Sequence, residues 1–377
     1  VSAVLLDQPK DPGVTVCRLS VIVCVACLFV HAAAAAAVNE HQPTDATGSV
    51  TTAEGCHLWP VNPHPGATTT WSGGCVDGYA SGTGVLVSRW AEGEDRYTGD
   101  IRGGRLNGKG SFASSNGDRY DGDWRDGVAD GHGILVFANG DRYDGAWQHG
   151  EVSGQGTLVW ASGARYEGQW LHNKRSGHGV GTEPNGRHYD GSWSNDKANG
   201  QGTLTTDDGN RYDGAWQDGK ANGIGVFVWA NGDRYEGHWT DDMRSGQGTL
   251  VFAKGGRYEG EWRNDRAEGK GVRIWPNGDR FEGEWHDNIR TERGVETFAN
   301  GDVYYGTWRD NKQNGDGAMK FANGNRYSGG WKNGMADGTG SYTFSDGRQI
   351  SGPWKNGCLL LDGHVAITVG VTANSCR

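Results

Sequence analysis

The sequence predicts an all-β fold, an elongated single-layer solenoid of successive antiparallel β-hairpins with no substantial helix outside an N-terminal signal segment. Three observations carry this. Aromatic residues recur at a fixed interval of 23: Tyr97, Tyr120, Tyr143, Tyr166, Tyr189, Tyr212, Tyr235, Tyr258, Phe281, Tyr304 and Tyr327, with Ile350 in the last slot, each followed two residues later by glycine. Trp124, Trp147, Trp170, Trp193, Trp216, Trp239, Trp262, Trp285, Trp308, Trp331 and Trp354 keep the same count, with Ile101 in the earliest slot. No insertion or deletion breaks the phase, so the length of the unit is fixed by how copies stack.

Within one copy, Tyr120, Gly122 and Trp124 alternate with Arg119, Asp121 and Asp123, the period of a strand with one buried and one wet face. Gly131, Gly133, Leu135 and Phe137 alternate in a second strand. Asn139-Gly140 leads into the next copy, and a two-residue type I′ turn with positive φ at both central residues is expected there. The other connection, from Trp124 to Gly131, carries Gly, Asn or Asp at Gly127 and its equivalents in every copy, which places a left-handed residue at that slot. Glycine inside a strand weakens it unless something approaches the backbone closely. The rings of each hairpin are therefore expected to lie over the Gly-x-Gly backbone of its neighbour, so that no copy folds alone. Tyr120, Gly122, Trp124, Gly131, Gly133, Tyr143, Trp147, Tyr166, Trp170, Tyr212, Trp216, Tyr235, Trp239, Tyr258 and Trp262 represent these structural slots.

The stretch YDGDWRDGVADGHGILVFANGDRY, beginning at Tyr120, resembles the MORN repeat (membrane occupation and recognition nexus), whose pattern is Tyr-x-Gly-x-Trp, a short loop, then Gly-x-Gly every 23 residues. The resemblance runs from about Tyr97 to Trp354 and suggests a stand-alone array of bacterial type. It implies a scaffold or targeting module made of hairpins and does not imply catalysis. At about 4.8 Å per strand, a dozen hairpins would span on the order of 110 Å. Two interior copies depart from the pattern. Pro184 falls where a strand should finish, and Glu292 and Glu296 replace a glycine and a hydrophobe, so weakness, a bend or a contact is expected there.

Taken in order, residues 1–37 read as a signal peptide or an uncleaved anchor: an apolar run behind Arg18 ends in small residues near Ala35 to Ala37. Residues 38–55 are polar and expected to form a flexible leader. Residues 56–96 read as a disulfide-stapled N-terminal cap, in which Gly82-x-Gly84 belongs to a degenerate copy lying three residues out of phase with Tyr97. The array proper occupies 97–354, and residues 355–377 supply a C-terminal cap strand for an edge that would otherwise be open. Cys17, Cys24 and Cys27 belong to the signal segment. The remaining four, Cys56, Cys75, Cys358 and Cys376, allow three pairings, of which proximity favours Cys56 with Cys75 and Cys358 with Cys376; free thiols or a zinc site are the alternatives.

The charge balance opposes several function classes. Lys+Arg total 36 against 46 Asp+Glu, a net charge of −10, which disfavours nucleic acid and anionic lipid bound by bulk electrostatics. The His residues lack metal-ligand spacing, no Gly-x-Gly extends into a dinucleotide or phosphate loop, and no catalytic triad stands out, so neither cofactor nor catalysis is expected. The wet face carries Arg119, Arg142, Arg165, Arg211, Arg234, Arg257 and Arg280, most followed two residues later by a carboxylate. This row is either a solvated face with ion-pair ladders or a track for phosphates on a lipid headgroup or partner. The function expected is an exported, non-enzymatic scaffold for protein–protein or envelope association, periplasmic or secreted, or tethered if the first segment is retained. Its partner is a protein, and homo-oligomers are possible. The alternative is a membrane-lipid or glycan-binding module using the aromatic or arginine rows.

Overall fold

The structure, a computed structural model, describes residues 49–361, 364–372 and 375–376; the expected signal segment lies outside them. Its contacts divide the chain into two units, one holding the described residues up to 209 with 215–220, the other 210–214 with 221 onwards. In both, the long regular elements are strands paired antiparallel with their sequence neighbours in an open sheet, the expected all-β hairpin solenoid.

One copy of the first unit shows the construction. Strand Arg119–Arg125 turns through Asp126-Gly127 into Val128–Val136. Both turn residues are left-handed, at φ 48° and 92°, the φ signature of a type I′ hairpin. Gly122 pairs with Gly133, the register then shifts, and Trp124 pairs with Ala129. This β-bulge accounts for Gly131, whose φ is 125°. The two glycines of Gly-x-Gly thus serve different ends, and only the second is bare because a ring covers it.

The joint between copies corrects the sequence reading. The Phe137 amide donates to the Asp141 carbonyl and the Gly140 amide to the Phe137 carbonyl, each at 2.9 Å. Of this loop only Gly140, at φ 94°, is left-handed. It is a type I turn closed by a left-handed glycine, and the type I′ geometry assigned to Asn139-Gly140 belongs to Asp126-Gly127 instead. The longer loop with one left-handed residue meets the strand twist as well as the two-residue turn does. Asn139 serves through its side chain, whose Oδ1 accepts the Asp141 amide at 2.9 Å. Each Asn-Gly-Asp then ties to the next: Asp118 Oδ1 accepts the Ala138 amide, and Asp141 Oδ1 the Ala161 amide, both at 2.8 Å.

Pro184 leaves the strand pairing before it intact. The preceding strand Lys174–Thr182 keeps its register to Thr182 opposite His188, and the proline takes the slot of Ala138, just inside the turn. There its fixed φ is favoured, and the tie that its missing amide forgoes has no acceptor in the preceding copy, where Ala164 stands in the slot of Asp118 and Asp141.

The ends are variations on the copy. Residues 49–55, expected as the tail of a leader, are held in the cap: Val50 pairs with Leu58, and Glu54 Oε2 accepts the Trp71 amide at 2.9 Å. Cys56 and Cys75 are bonded, with Cα atoms 5.8 Å apart. The buried Trp71 ring takes the tyrosine's place over Gly84. The three surplus residues lengthen the hairpin of Tyr79–Trp90 with Gly93–Arg102, which pairs out to Trp90 opposite Gly93. In the second unit, Cys358–Leu361 pairs with His364–Thr368, and Cys358 is bonded to Cys376. Buried Leu359 packs against Gly352, where a tyrosine would lie in a regular copy.

Candidate interaction surface

The aromatic rows are spent on the fold. The Tyr120 ring covers Gly122 and Gly133 of its own copy so closely that a Cβ on Gly133 would collide with it. Its hydroxyl reaches past them to donate to the Asp123 carbonyl at the bulge, 3.0 Å away. Trp124 instead points back: its Nε1 donates to the Gly110 carbonyl of the preceding copy at 3.0 Å. Trp124 stands edge-on between Tyr97 at 5.7 Å and Tyr120 at 5.0 Å, and Trp308 likewise between Phe281 and Tyr304. The expectation that both rings shield a neighbour therefore holds for tryptophan alone; tyrosine seals its own hairpin, and tryptophan carries the link between copies.

The same geometry recurs at the other slots. Tyr143, Tyr166, Tyr212, Tyr235 and Tyr258 are buried, as are Trp147, Trp170, Trp216, Trp239 and Trp262. Trp147 donates to Gly133, Trp170 to Gly156, Trp216 to Gly202, Trp239 to Gly225 and Trp262 to Gly248, at 3.0–3.3 Å. Burial pushes the phenols of Tyr120, Tyr143 and Tyr258 far above their ordinary value, and that of Tyr327 up to about 12. None of these rings offers a face to a sugar or headgroup.

The arginine row lies on the opposite, solvent-facing side, and carboxylates neutralise much of it. Arg142 meets Asp144 at 2.7 Å, Arg211 meets Asp213 at 2.8 Å, Arg234 meets Glu236 at 2.7 Å and Arg280 meets Glu282 at 2.6 Å; Arg165 pairs with Glu167. Arg119 and Arg257 are exposed in the same row. Histidines on this face meet carboxylates, His132 with Asp144 and His178 with Asp190, both at 3.2 Å, and His286 with Glu268 at 3.2 Å and Asp287 at 3.9 Å. Among the described residues no cluster of His, Cys, Asp and Glu is arranged to hold a metal ion. A shallow crevice in the cap is lined by Asn62, Ser88, Asp95 and Tyr97; there Asp95 is held by Asn62 at 3.3 Å and by the Ser115 amide at 2.8 Å.

Sequence reasoning missed three buried arginines. Arg175, Arg244 and Arg290 occupy the column of Ala129, Ala198 and Ala267, and their guanidinium groups lie 4.4, 4.2 and 4.4 Å from the ring centres of Trp193, Trp262 and Trp308. Asp196 and Asp265 accept from the first two at 3.1 Å, and Glu296 from the third at 2.8 Å. The signal was available, because an arginine recurs in a column that, Gln313 apart, is otherwise filled by small or apolar residues.

Comparison with curated proteins gives no match. Among solved structures the chain is similar to the TCP10 domain of Danio rerio CPAP in complex with a peptide of STIL, at 13% identity and TM-score 0.21, covering 66% of this chain and 97% of that one. It is also similar to the Drosophila melanogaster SAS-4 TCP domain in complex with a proline-rich motif of Ana2, at 14% identity and TM-score 0.21, covering 46% and 81%. Virginiamycin B lyase from Staphylococcus aureus gives 10% identity and TM-score 0.13, covering 71% and 83%. Scores this low carry no functional comparison. The MORN repeat model, by contrast, matches eleven consecutive segments: 97–119, 120–142, 143–165, 166–186, 189–211, 212–234, 235–257, 258–280, 281–303, 304–326 and 327–347. These matches cover about two thirds of the chain and fall on the copies that the ring, bulge and turn geometry define, so the protein belongs to the MORN-repeat family, a non-catalytic repeat type that commonly serves protein or membrane association.

Proposed function

We propose that the protein is a non-enzymatic scaffold that gathers protein partners outside the cytoplasm, in the cell envelope or beyond it. The observation that carries this reading is the division of labour between the two faces. Rings, glycines and bulges consume one face, while the other presents strand after strand of exposed side chains in fixed register, suited to extended contact with a polypeptide. The two disulfides support an oxidising compartment. The lipid or glycan alternative is opposed by the burial of the aromatic rows and by the carboxylates beside the arginines.

Two measurements test the reading. Alkylation of unreduced protein in intact cells and in separated fractions should find Cys56, Cys75, Cys358 and Cys376 protected and the protein outside the cytoplasm; four reactive thiols in a cytoplasmic fraction would overturn the location. Affinity purification of the full chain after cross-linking in the native host should return a protein partner at fixed stoichiometry. Flotation with vesicles in place of any such partner would favour the lipid reading.

A further inference from the structure

The solvent-facing side of the second unit changes character at one place. Asp213, Glu236, Glu259 and Glu282 succeed one another at the repeat interval in the acidic row, and the next three slots hold Tyr305, Ser328 and Ser351. Tyr305, on strand Val303–Arg309, is 58% exposed, and Val295 and Ala318 are its cross-strand neighbours. Beside it, Lys320 at the end of Lys312–Lys320 stands directly opposite Arg326 at the start of Arg326–Lys332. Opposite the row arginines of other copies the residue is uncharged: Val136 faces Arg142, Val228 faces Arg234 and Ile274 faces Arg280. Cations also face each other beside the two-residue turns, Arg263 opposite Arg266 with Glu268 and Asp287 as their partners, and Arg309 opposite Lys312, which adds to the positive charge of this face. Both Lys320 and Arg326 are exposed, and neither joins an ion pair among the described residues. Like charges directly opposite each other destabilise a sheet. Along the strand the nearest acid, Asp316, lies four residues from Lys320, about 13 Å away. Across it, Asp302 adjoins Val303, the partner of Lys320, but its carboxylate is engaged by the Ala322 amide at 2.8 Å and the Asn300 side chain at 3.0 Å.

We propose that this face of Ile289–Thr297, Val303–Arg309, Lys312–Lys320 and Arg326–Lys332 is a docking surface for a short acidic polypeptide in extended conformation. It deepens the scaffold reading and rests on it. Lys320 and Arg326 hold one carboxylate of the partner and relieve their mutual repulsion in doing so. Tyr305, with Val295 and Ala318, receives an apolar side chain. Lys320 and Ala318 are two residues apart, about 6.6 Å along the strand, the same step that separates same-side residues of an extended chain. The recognised element is therefore Asp or Glu followed two residues later by an aliphatic or aromatic residue. An anionic bilayer suits the surface less well: Glu236, Glu259 and Glu282 lie in the same row of the same unit and would be pressed against it, whereas a short segment meets only the cationic end.

The test is fluorescence anisotropy of the full-length protein with a labelled peptide of sequence Gly-Ser-Glu-Ser-Phe-Ser-Gly. Controls are a peptide with Lys for Glu and one in which Glu and Phe are adjacent. The first peptide should bind in a salt-sensitive manner, and both controls should bind at least about tenfold more weakly. The double substitution K320E/R326E should remove binding of the Glu peptide and create binding of the Lys peptide, which a misfolded variant could not do. Tyr305→Ser should weaken binding several-fold, and Arg142→Ala should leave it unchanged. Lys320→Val, which restores the residue type of the other copies, should raise the melting temperature while weakening the peptide. Absence of binding by the unaltered protein up to about 1 mM, or indifference to K320E/R326E, overturns the proposal. So does vesicle binding abolished by the same double substitution. If the cross-linked native partner is still recovered with K320E/R326E while no peptide binds, this surface is wrong and the scaffold reading stands.

Discussion

Copies 120–142 and 281–303 share one backbone plan and differ in what fills it. In the first, Tyr120, Trp124, Ala129 and Leu135 seal the buried face with carbon and two ring polar groups, the phenol and the indole N–H, each with its hydrogen bond satisfied. In the second, Phe281 replaces the tyrosine, Arg290 the alanine and Glu296 the leucine, and Glu292 stands at the bulge in place of glycine. Arg290 and Glu296 are both buried and meet at 2.8 Å, Gln313 reaches the same carboxylate at 3.3 Å, and the guanidinium lies against Trp308. Yet the register of Ile289–Thr297 with its successor, Glu292 opposite Trp308 through Thr297 opposite Val303, matches that of Val128–Val136 with Arg142–Gln148. The backbone plan, set by turns, bulge and the rings over glycine, tolerates a charged core as long as the charges satisfy each other.

The largest separation between the two copies should come from alkali. Burial raises the phenols of Tyr97, Tyr120, Tyr143, Tyr166, Tyr212, Tyr235, Tyr258, Tyr304 and Tyr327 above the ordinary value of 10.0. A folded value above the unfolded one means that the stabilisation is complete below about pH 10 and is lost as pH rises toward the folded values. Because many tyrosines release together, circular dichroism should show unfolding above pH 10 with a slope of several protons. Amides around Phe281, which cannot ionise, should exchange no faster than the rest until the neighbouring copies fail. A slope of a single proton would break the comparison.

Second in size is the core ion pair. Arg290→Met leaves the Glu296 carboxylate buried without its partner and should cost about 3–5 kcal/mol in chemical denaturation. The double variant Arg290→Met/Glu296→Leu, which restores the chemistry of copy 120–142, should return to within about 1 kcal/mol of the parent or exceed it. Equal losses for the single and double variants would show that the charges are not what couples these positions.

These contrasts also mark what could be read beforehand. The strands, the period, the ring and glycine slots and the buried side of each strand were legible because Tyr-x-Gly-x-Trp carries a period of two inside a period of 23. The turn types were exchanged, because Asn-Gly and Asp-Gly look alike until the pairing register fixes how many residues lie between the last paired positions. Which ring covers which copy was also hidden: Tyr120 and Trp124 lie on the same side of one strand, yet the first stays on its own hairpin and bonds at the bulge, while the second reaches back to Gly110. Buried arginines escaped notice since a guanidinium usually marks a wet face; here the stem lies along the core and the head stacks on a tryptophan. Pro184 and Glu296 were recognised as exceptions, but their consequences depended on a turn boundary and on a partner, Arg290, six residues earlier.

A smaller effect isolates the ring over the glycine. Gly133→Ala in the regular copy introduces a methyl that the Tyr120 ring and the paired backbone leave no room for, and should destabilise by about 1–3 kcal/mol. Gly140→Ala changes only the turn, where the nearest neighbour is the Ala161 side chain, and should cost about 1 kcal/mol through its positive φ. Similar values for the two would mean that the ring yields easily.

The smallest effect has the opposite sign. Glu292 holds φ at 54° at the bulge where Gly131 stands in the regular copy, and its side chain is exposed. A side chain is strained in this region and glycine is not, so Glu292→Gly should stabilise copy 281–303 by about 1 kcal/mol. The gain is bounded from above, because glycine also gives the unfolded chain more freedom. Gly131→Glu, the reciprocal change, should cost more than Glu292→Gly gains. At Gly131 a Cβ would press on the Asp123 side chain as well as strain the backbone. Denaturation of the two variants, compared with their combination, decides whether the bulge is a local feature of each copy. Additive effects mean that it is, and a marked departure from additivity would mean that strain at one bulge is transmitted along the array.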